Sequence, residues 1–543
     1  MALSARADKP APTLAIVGVH VVPMDTPRVL ESHTVVVTGG RITALGPAED
    51  VPVPGGARVV AGEGRFLIPG LADMHVHLRR NSDEYVNYVA HGVTTVMHLG
   101  GSAAQGAQIL EHRQQIENGE LTGPNIYATQ RIFDGDPPLA THAYSLANPQ
   151  AARRRTAELA VAIVDEATRR GIVVVGHIPR GFDPLIALRG GQKVVVHTEE
   201  FFFTYFKGPR STEDMDRGYR PDLSLISNLL AVLVEARMTV IPNLSFTFTN
   251  LLMWDAGQYL GRPRAEVSAS FDDPGVPRRK HQPTPGDRDL HRPRADQGRA
   301  AARADETLSG SRRPPAPRNR LGPAGPLSRQ IGASGLTELV KAGLSNWEAL
   351  SIGTGNAGEF VREHIDDQER FGRIAPGYRA DLLLVEGNPL EDVRHAREIA
   401  GVAVRGRWFE KSDMDDRRSA LAERYEQVNE VTRQVDEALE EEGAAAAVGA
   451  ILAAHGHDPE IGSAIESQLN SAGYGAAIAD DIDGAAFILR LATKLFPDSA
   501  NAWDSLAEIT LYRGDRDAAI EYYRNALELD PEFSNVLDSW RSF

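Results

Sequence analysis

The sequence of 543 residues contains no cysteine, few aromatic residues (6%) and fewer basic than acidic side chains. Without cysteine, the chain can form neither a disulfide framework nor a thiolate metal site, so any bound metal must use histidine and carboxylate ligands. The formal net charge of −16 argues against nucleic acid as a partner. The chemistry of this protein therefore depends on histidine, lysine and the acidic residues.

Long hydrophobic runs are also missing. No run reaches the roughly 18 apolar residues that a membrane-spanning helix needs. The first residues, MALSARADKPAPTLAIVG, lack the hydrophobic segment of a signal peptide. As written, the chain is expected in the cytoplasm, whereas a start assigned too far downstream would leave a periplasmic or secreted location open. The hydrophobic content of 42% suffices for real cores, and the length predicts about three domains.

The character of the sequence changes along the chain. Residues 13–68 alternate short β-rich runs with turns, and Gly39-Gly40 between VVV and RITAL predicts a hairpin. Because 372–410 is β-rich again, we expect 1–70 and 371–411 to form one composite β-sandwich domain. Residues 71–370 alternate strands and helices, which predicts an α/β fold, a TIM-like (β/α) barrel inserted in the β domain.

The strands and helices of the barrel are predicted from apolar runs. The strand candidates are 71–78, 93–99, 125–132, 172–178, 193–197 and 238–244. A helix is predicted at 148–170, and His91, directly before Gly92, is predicted to cap the end of another helix.

Residues 262–332 differ in kind from the rest of the barrel region. They are dense in Pro, Arg, Ala and Gly and have no apolar periodicity, which predicts disorder. A long structureless stretch inside a compact domain is unusual, and the same residue types are what GC-rich codons encode in a wrong frame. The segment is therefore either a disordered insertion or an out-of-frame product.

Residues 412–543 are predicted to be an all-α tail. Seven positions fit the 34-residue tetratricopeptide pattern, in which small residues let two helices pack closely; the alternative is a generic helical hairpin. The fitting positions are Trp503, Leu506, Gly514, Ala519, Tyr523, Ala526 and Pro531. One or two repeats are fewer than a free-standing array needs, so the tail is expected to pack on the barrel, bind a protein partner or self-associate.

Histidines end three of the predicted strands. His75 and His77 close the run IPGLADMHVHL, and one intervening residue on a strand places both imidazoles on one face. His177 closes IVVVGHI and His197 follows KVVV. Neutral imidazoles at the mouth of a barrel can bind a divalent metal, although each histidine alone fits a structural role equally well.

With these runs, and with VVVTGGRITALGP, HGVTTVMHLGG and GRIAPGYRADLLLVEGNPLEDV, the chain resembles the amidohydrolase superfamily, in its imidazolonepropionase-like and Xaa-Pro dipeptidase-like branch. The resemblance covers roughly 13–260 and 332–410. It implies that His75, His77, His177 and His197 ligate divalent metal, usually zinc, which activates a water for attack on an amide carbonyl. The implied function is hydrolysis of a C–N bond in a small amide, cyclic amide or dipeptide.

Two parts of the family pattern are missing. No lysine-bearing fourth strand separates NIYATQRIF from the fifth strand, and no aspartate occurs between Asp305 and Thr337, where the eighth strand is expected. Without the lysine, one metal is favoured over two; loss of a general base costs about 10² to 10⁴ in rate. We therefore expect an incomplete barrel and assign no catalytic residue. The alternative function is an impaired pseudoenzyme or decayed gene product that retains a partner-binding helical tail.

Three further side chains are candidates for substrate contact. His98 ends VTTVMHL, Tyr205 lies in FFFTYF after the sixth strand, and Asn243 ends the seventh. For His98 a structural role is favoured somewhat over substrate contact, and for the FFFTYF segment a core-packing lid is the plainer interpretation. Glu199 and Glu200 are the carboxylates nearest to His197 in sequence that could replace the missing aspartate.

Overall fold

The computed structural model describes residues 13–129 apart from 79–81 and 101–102, and 328–530 apart from 441–442. Between them it describes 133–134, 144–145, 164, 166–167, 169–177, 185, 192, 194–197, 201, 205 and 223–241. These residues form two compact units. The first comprises the described residues of 13–241 and 328–424, and the second comprises those of 425–530. Among them, no helix combines the length and apolar character needed to cross a bilayer.

The bounds of the described elements are as follows. The strands are β1 Thr13–Val21, β2 Leu30–Thr38, β3 Arg41–Pro47, β4 Arg58–Ala61, β5 Phe66–Pro69, β6 Leu71–Val76, β7 Val93–Leu99, β8 Asn125–Thr129, β9 Phe133–Asp134, β10 Tyr144–Ser145, β11 Val175–Gly176, β12 Val194–Val196, β13 Thr239–Ile241, β14 Leu382–Val385, β15 Ile399–Val404 and β16 Arg407–Glu410. The α-helices are α1 Tyr85–Ala90, α2 Ala103–Asn118, α3 Ile226–Glu235, α4 Ser328–Lys341, α5 Asn346–Ile352, α6 Gly355–His364, α7 Lys411–Leu439, α8 Ala444–His455, α9 Pro459–Ile478, α10 Ile482–Leu495, α11 Ala500–Tyr512 and α12 Arg516–Leu529.

The β domain of the first unit is one eight-stranded sheet. Its order is β16-β15-β14-β5-β1-β2-β3, with β4 beside β1. The antiparallel pairing of β14 with β5 joins the late β-rich segment to the early one. Backbone pairing runs unbroken from β16 to β3, and the sheet packs around one core; the sandwich arrangement stays a prediction. The hairpin at Gly39-Gly40 is confirmed, and both glycines have the positive φ that such a turn requires.

Two three-stranded parallel sheets follow the first β segment. One has the order β6-β7-β8 and the other β11-β12-β13. Their side chains share a hydrophobic cluster, in which Met97 of β7 and Val194 of β12 pack with Phe360 of α6. The sequence located these strands correctly, although β6 ends two residues early and β11 is shorter than expected. Pairing of the two sheets into a barrel, and its incompleteness, stay predictions.

A buried ionic network ties the β domain to the first parallel sheet. Arg379, 2% exposed, donates to Asp381 Oδ2 at 2.5 Å and to Thr95 Oγ1 of β7 at 2.7 Å. The same guanidinium donates to Glu369 Oε2 at 3.0 Å and to the Tyr127 hydroxyl of β8 at 3.2 Å. Thr95 and Tyr127 lie on β7 and β8, while Arg379, Asp381 and Glu369 belong to the connection before β14, so the network joins β7 and β8 to the start of β14.

Other expectations from the sequence fall partly outside the described residues. Of the predicted helix 148–170, the described residues 164, 166, 167 and 169 are helical. His91 is confirmed as a helix cap, since it follows α1 and its Nδ1 lies 2.7 Å from the Asn87 carbonyl. Most of 262–332 lies outside the described residues, but 328–332, expected in the disordered stretch, form the first residues of α4.

The second unit is helical, as predicted. The two clusters of small and apolar side chains that join α10 to α12 hold Ala485, Leu489, Leu506, Ala519, Tyr523 and Ala526, among others. Five of the seven tetratricopeptide positions lie in α11 and α12, Gly514 is the left-handed turn between them, and Pro531 lies outside the described residues. The tetratricopeptide assignment itself stays a prediction.

Candidate metal centre

The four predicted histidines come from strands of both parallel sheets. His75 lies in β6 and His77 directly follows it. His177 directly follows β11, and His197 directly follows β12. Parallel neighbours in each sheet run in the same direction, so their carboxyl ends meet at one edge. The apolar runs before His77 and His197 are mostly buried, whereas the run before His177 is half-buried and its Ile172 is exposed.

The structure brings these four imidazoles into one continuous chain of ring contacts. The ring centroids of His75 and His197 are 4.6 Å apart, and those of His197 and His177 are 4.8 Å apart. His77 lies 5.3 Å from His75 on the other side. His75 and His197 are buried, whereas His77 and His177 are exposed, so the cluster opens to solvent through its outer members.

The distance between the two nitrogens of the His-x-His pair fits a shared ligand. His75 Nε2 and His77 Nε2 are 3.3 Å apart. Two nitrogens each about 2.0–2.1 Å from a tetrahedral zinc ion would be separated by roughly 3.3–3.4 Å. The pair therefore has the spacing of adjacent zinc ligands. Within the described residues, no group of three His, Asp or Glu side chains is already gathered around one point, so His177 and His197 would have to turn their rings to complete a site.

The electrostatic setting keeps His75 in the form that ligates metals. Burial lowers the pKa of His75 to about 2, and the neighbouring His197, His77 and His177 add to this effect. Its imidazole is consequently neutral near pH 7, with a lone pair available on one ring nitrogen. A buried neutral imidazole such as that of His75 is a poor site for a proton and a good one for a metal cation.

His197 has an unusual backbone conformation. Its φ is +67°, in the left-handed region, at the point where the chain leaves β12. Its backbone N–H still donates to the Ile241 carbonyl of β13 at 3.0 Å, so the sheet continues to this residue. Non-glycine residues in this region cost about 1–2 kcal/mol, and such strain concentrates at functional sites. The conformation turns the His197 imidazole onto His75.

A carboxylate that the sequence analysis passed over lies beside the His-x-His pair. Asp73, 5% exposed, accepts a hydrogen bond from the His75 backbone N–H to Oδ1 at 3.1 Å. Within the described structure its Oδ2 has no hydrogen-bond partner. Burial raises the pKa of this carboxyl to about 7, although the His75 N–H opposes the effect. An acidic residue inside an otherwise apolar strand, two places before His75, was the available signal.

The structure places the predicted substrate contacts less closely. His98 is fully buried, and its Nδ1 accepts from the Leu78 backbone N–H at 3.0 Å, with its ring 6.4 Å from His77. The Tyr205 hydroxyl donates to the Leu225 carbonyl at 3.2 Å and accepts from Asn228 at 2.9 Å. These contacts hold both side chains in the protein, and substrate contact stays a prediction for them. Asn243, Glu199 and Glu200 lie outside the described residues.

Known proteins resemble short parts of this chain. It is 34% identical over 89 residues to the adenine deaminase of Paracoccus denitrificans (strain Pd 1222), which is 16% of this chain and 15% of that protein. It is 39% identical over 72 residues to the dihydroorotase of Anaeromyxobacter dehalogenans (strain 2CP-C), 13% of this chain and 16% of that protein. It is 33% identical over 81 residues to the enamidase of Eubacterium barkeri, 14% of this chain and 21% of that protein.

These alignments span between 15% and 21% of each relative's length. No protein-family model matches the chain. Solved structures cover more of it: molinate hydrolase has 16% identity and a TM-score of 0.47, over 75% of this chain and 96% of that one. A Xaa-Pro dipeptidase with bound methionine in its active site has 16% identity and a TM-score of 0.46, over 73% and 100%. Likeness this weak does not assign an activity.

Proposed function

We propose that this protein is an amidohydrolase-type enzyme, a metal-dependent hydrolase of C–N bonds in a small amide, cyclic amide or dipeptide. The observation that carries the proposal is the convergence of His75, His77, His177 and His197 from two sheets, with a zinc-like spacing of 3.3 Å between two nitrogens. The partial similarity to a deaminase, a dihydroorotase and an enamidase points to the same family.

The four histidines would hold one divalent ion, and zinc is favoured because the donors are all imidazole nitrogens. When bound, such an ion lowers the pKa of a coordinated water and polarises a carbonyl. His75 and His197 would form the buried side of the site and exclude solvent there. His77 and His177 would border the open side, from which a substrate amide would enter.

Metal content tests this proposal directly. The chain is incubated with zinc, freed of unbound ion and analysed by mass spectrometry beside His75→Ala, His197→Ala and the exposed control His457→Ala. We expect about one zinc per chain in the wild type and the control, and affinity lower by roughly tenfold or more in the two site variants. A wild-type chain without zinc, or site variants that bind like the control, would refute it.

The absence of aspartate between Asp305 and Thr337 favours a second candidate, an impaired pseudoenzyme descended from such a hydrolase. It retains the histidines without a proton acceptor for the water, and its helical region would serve a protein partner or a second copy. Turnover separates the two candidates. A zinc-loaded chain that hydrolyses dipeptides or cyclic amides, and stops with a chelator, is the enzyme; a zinc-loaded chain with no turnover across both classes is the pseudoenzyme.

A further inference from the structure

The strand that carries His75 and His77 departs from regular pairing just before the histidines. Between β6 and β7 the register runs from Asp73 opposite Val96 to Val76 opposite His98, three steps on β6 against two on β7. One residue of β6 is therefore extra, which is a bulge. Bulges bend a strand and re-aim its side chains, and they are frequent beside active sites.

Side chains accept two backbone N–H groups here, one within the irregular stretch and one after it. The His75 N–H donates to Asp73 Oδ1 at 3.1 Å, and the Leu78 N–H donates to His98 Nδ1 at 3.0 Å. Asp73, His98 and Leu78 are all buried, so neither bond competes with solvent. The His-x-His segment is held at its start and at its end by polar atoms that are not part of the regular ladder.

We infer that Asp73 is a positioning residue, whose carboxylate holds the β6 bulge and thereby aims the His75 imidazole at His77 and His197. The inference deepens the proposed function and rests on it for its consequence in metal binding. In this inference Asp73 acts on the site through the backbone of His75, by the hydrogen bond to its Oδ1, and is not itself a metal ligand. Any side chain with an acceptor at the same place should substitute for it.

The first test uses the metal-free chain and amide hydrogen exchange at His75. Asp73→Asn keeps an acceptor oxygen and should exchange as the wild type does, whereas Asp73→Ala should exchange at least about tenfold faster, in line with loss of a bond worth roughly 1.4 kcal/mol. Asp366→Ala is the matched control, since Asp366 makes the same bond to a backbone N–H two residues on, at Gln368, on the surface. It should speed exchange at Gln368 alone.

The second test is zinc affinity of the same variants by titration calorimetry. We expect Asp73→Ala to bind roughly ten- to hundredfold more weakly, and Asp73→Asn and Asp366→Ala to match the wild type. If Asp73→Ala does not fold, Asp73→Leu offers a side chain with the same branching at Cγ, although a larger one, without an acceptor.

Each result has a definite meaning. Unchanged amide exchange at His75 in Asp73→Ala overturns the inference. An Asp73→Asn variant that binds zinc as weakly as Asp73→Ala also overturns it, and would make Asp73 a ligand. A wild-type chain that binds no zinc overturns the proposed function instead, and the exchange result then decides by itself whether Asp73 holds the bulge.

Discussion

The imidazole rings of His75 and His197 lie 4.6 Å apart between centroids, although they belong to two different three-stranded sheets. His75 reaches this position from a bulged strand, and His197 from a left-handed turn after β12. Two local departures from regular β structure thus meet at one contact. Such departures cost free energy, which is why we place the function of the protein there.

The left-handed conformation of His197 predicts an unusual order of stability among its variants. His197→Gly and His197→Ala both remove the imidazole, but only alanine retains a Cβ in the unfavourable region. In the metal-free chain, we expect the glycine variant to be the more stable by roughly 1 kcal/mol, measured by denaturant unfolding.

Val196, the last residue of β12, provides the matched comparison for His197. It is buried in regular strand structure, so Val196→Ala should be more stable than Val196→Gly. If alanine were more stable than glycine at position 197 as well, His197 would not occupy the left-handed region.

The ionic network around Arg379 predicts a pH-dependent stability. Burial raises the pKa of Glu369, but the charges of Arg379, Arg405 and Arg41 outweigh it, so the pKa is lower than usual in the folded chain. A lowered folded pKa stabilises the protein above the unfolded value of 4.5, and this contribution is lost as the pH falls through the folded pKa. Glu369→Gln should therefore destabilise the fold at pH 7 by about 1–3 kcal/mol, and by less at pH 3.

Glu359 is a suitable control for Glu369. Its carboxylate pairs with Arg362 on the surface, where the side chain of Glu359 is 53% exposed. Exposed pairs contribute little, so Glu359→Gln should change thermal stability only slightly at either pH. Equal losses from both substitutions would contradict a special role for the buried network.

Close packing directly before β6 predicts that a larger residue in place of Gly70 lowers the stability of the fold. A Cβ at this position would overlap the hydroxyl and methyl groups of Thr94 in β7. Gly70→Ala should destabilise the chain by about 1–3 kcal/mol, while Gly55→Ala, where no atom lies within 4 Å of the added group, should not. Denaturant unfolding of both single variants and the double variant completes a double-mutant cycle. In the double variant, Thr94→Ala should recover part of the stability lost through Gly70→Ala. Additive effects would show that the added Cβ does not clash with Thr94.

The helical unit offers a test of its tight helix pairing. Ala519 of α12 is fully buried against Ala507 of α11, within a cluster that includes Tyr523. Ala519→Leu should lower stability by about 1–3 kcal/mol through overpacking, seen as a lower melting temperature by circular dichroism. The exposed Ala453→Leu in α8 should leave it nearly unchanged, and a tolerated leucine at 519 would argue against close packing of α11 on α12.

Much of the local structure follows from short-range patterns. Apolar runs predicted β7 at its observed bounds and located β6, β11, β12 and β13; β7 and β12 are buried almost throughout, and burial on both faces demands continuous apolar residues. The paired glycines predicted the hairpin of β2 and β3, since that turn needs two residues with positive φ. Local patterns predicted the edges of strands less well, because pairing with neighbours decides where a strand ends.

The sequence by itself determined which residues could hold a metal. Without cysteine, the candidates were histidines and carboxylates, and strand ends singled out His75, His77, His177 and His197. Only the tertiary structure decided that these rings touch, because contacts between residues far apart in sequence depend on how two sheets pack around a shared core. It also revealed the hydrogen bond from the His75 N–H to Asp73 and the left-handed conformation of His197, since bulges and backbone strain arise from pairing between strands and leave no periodic trace in the sequence.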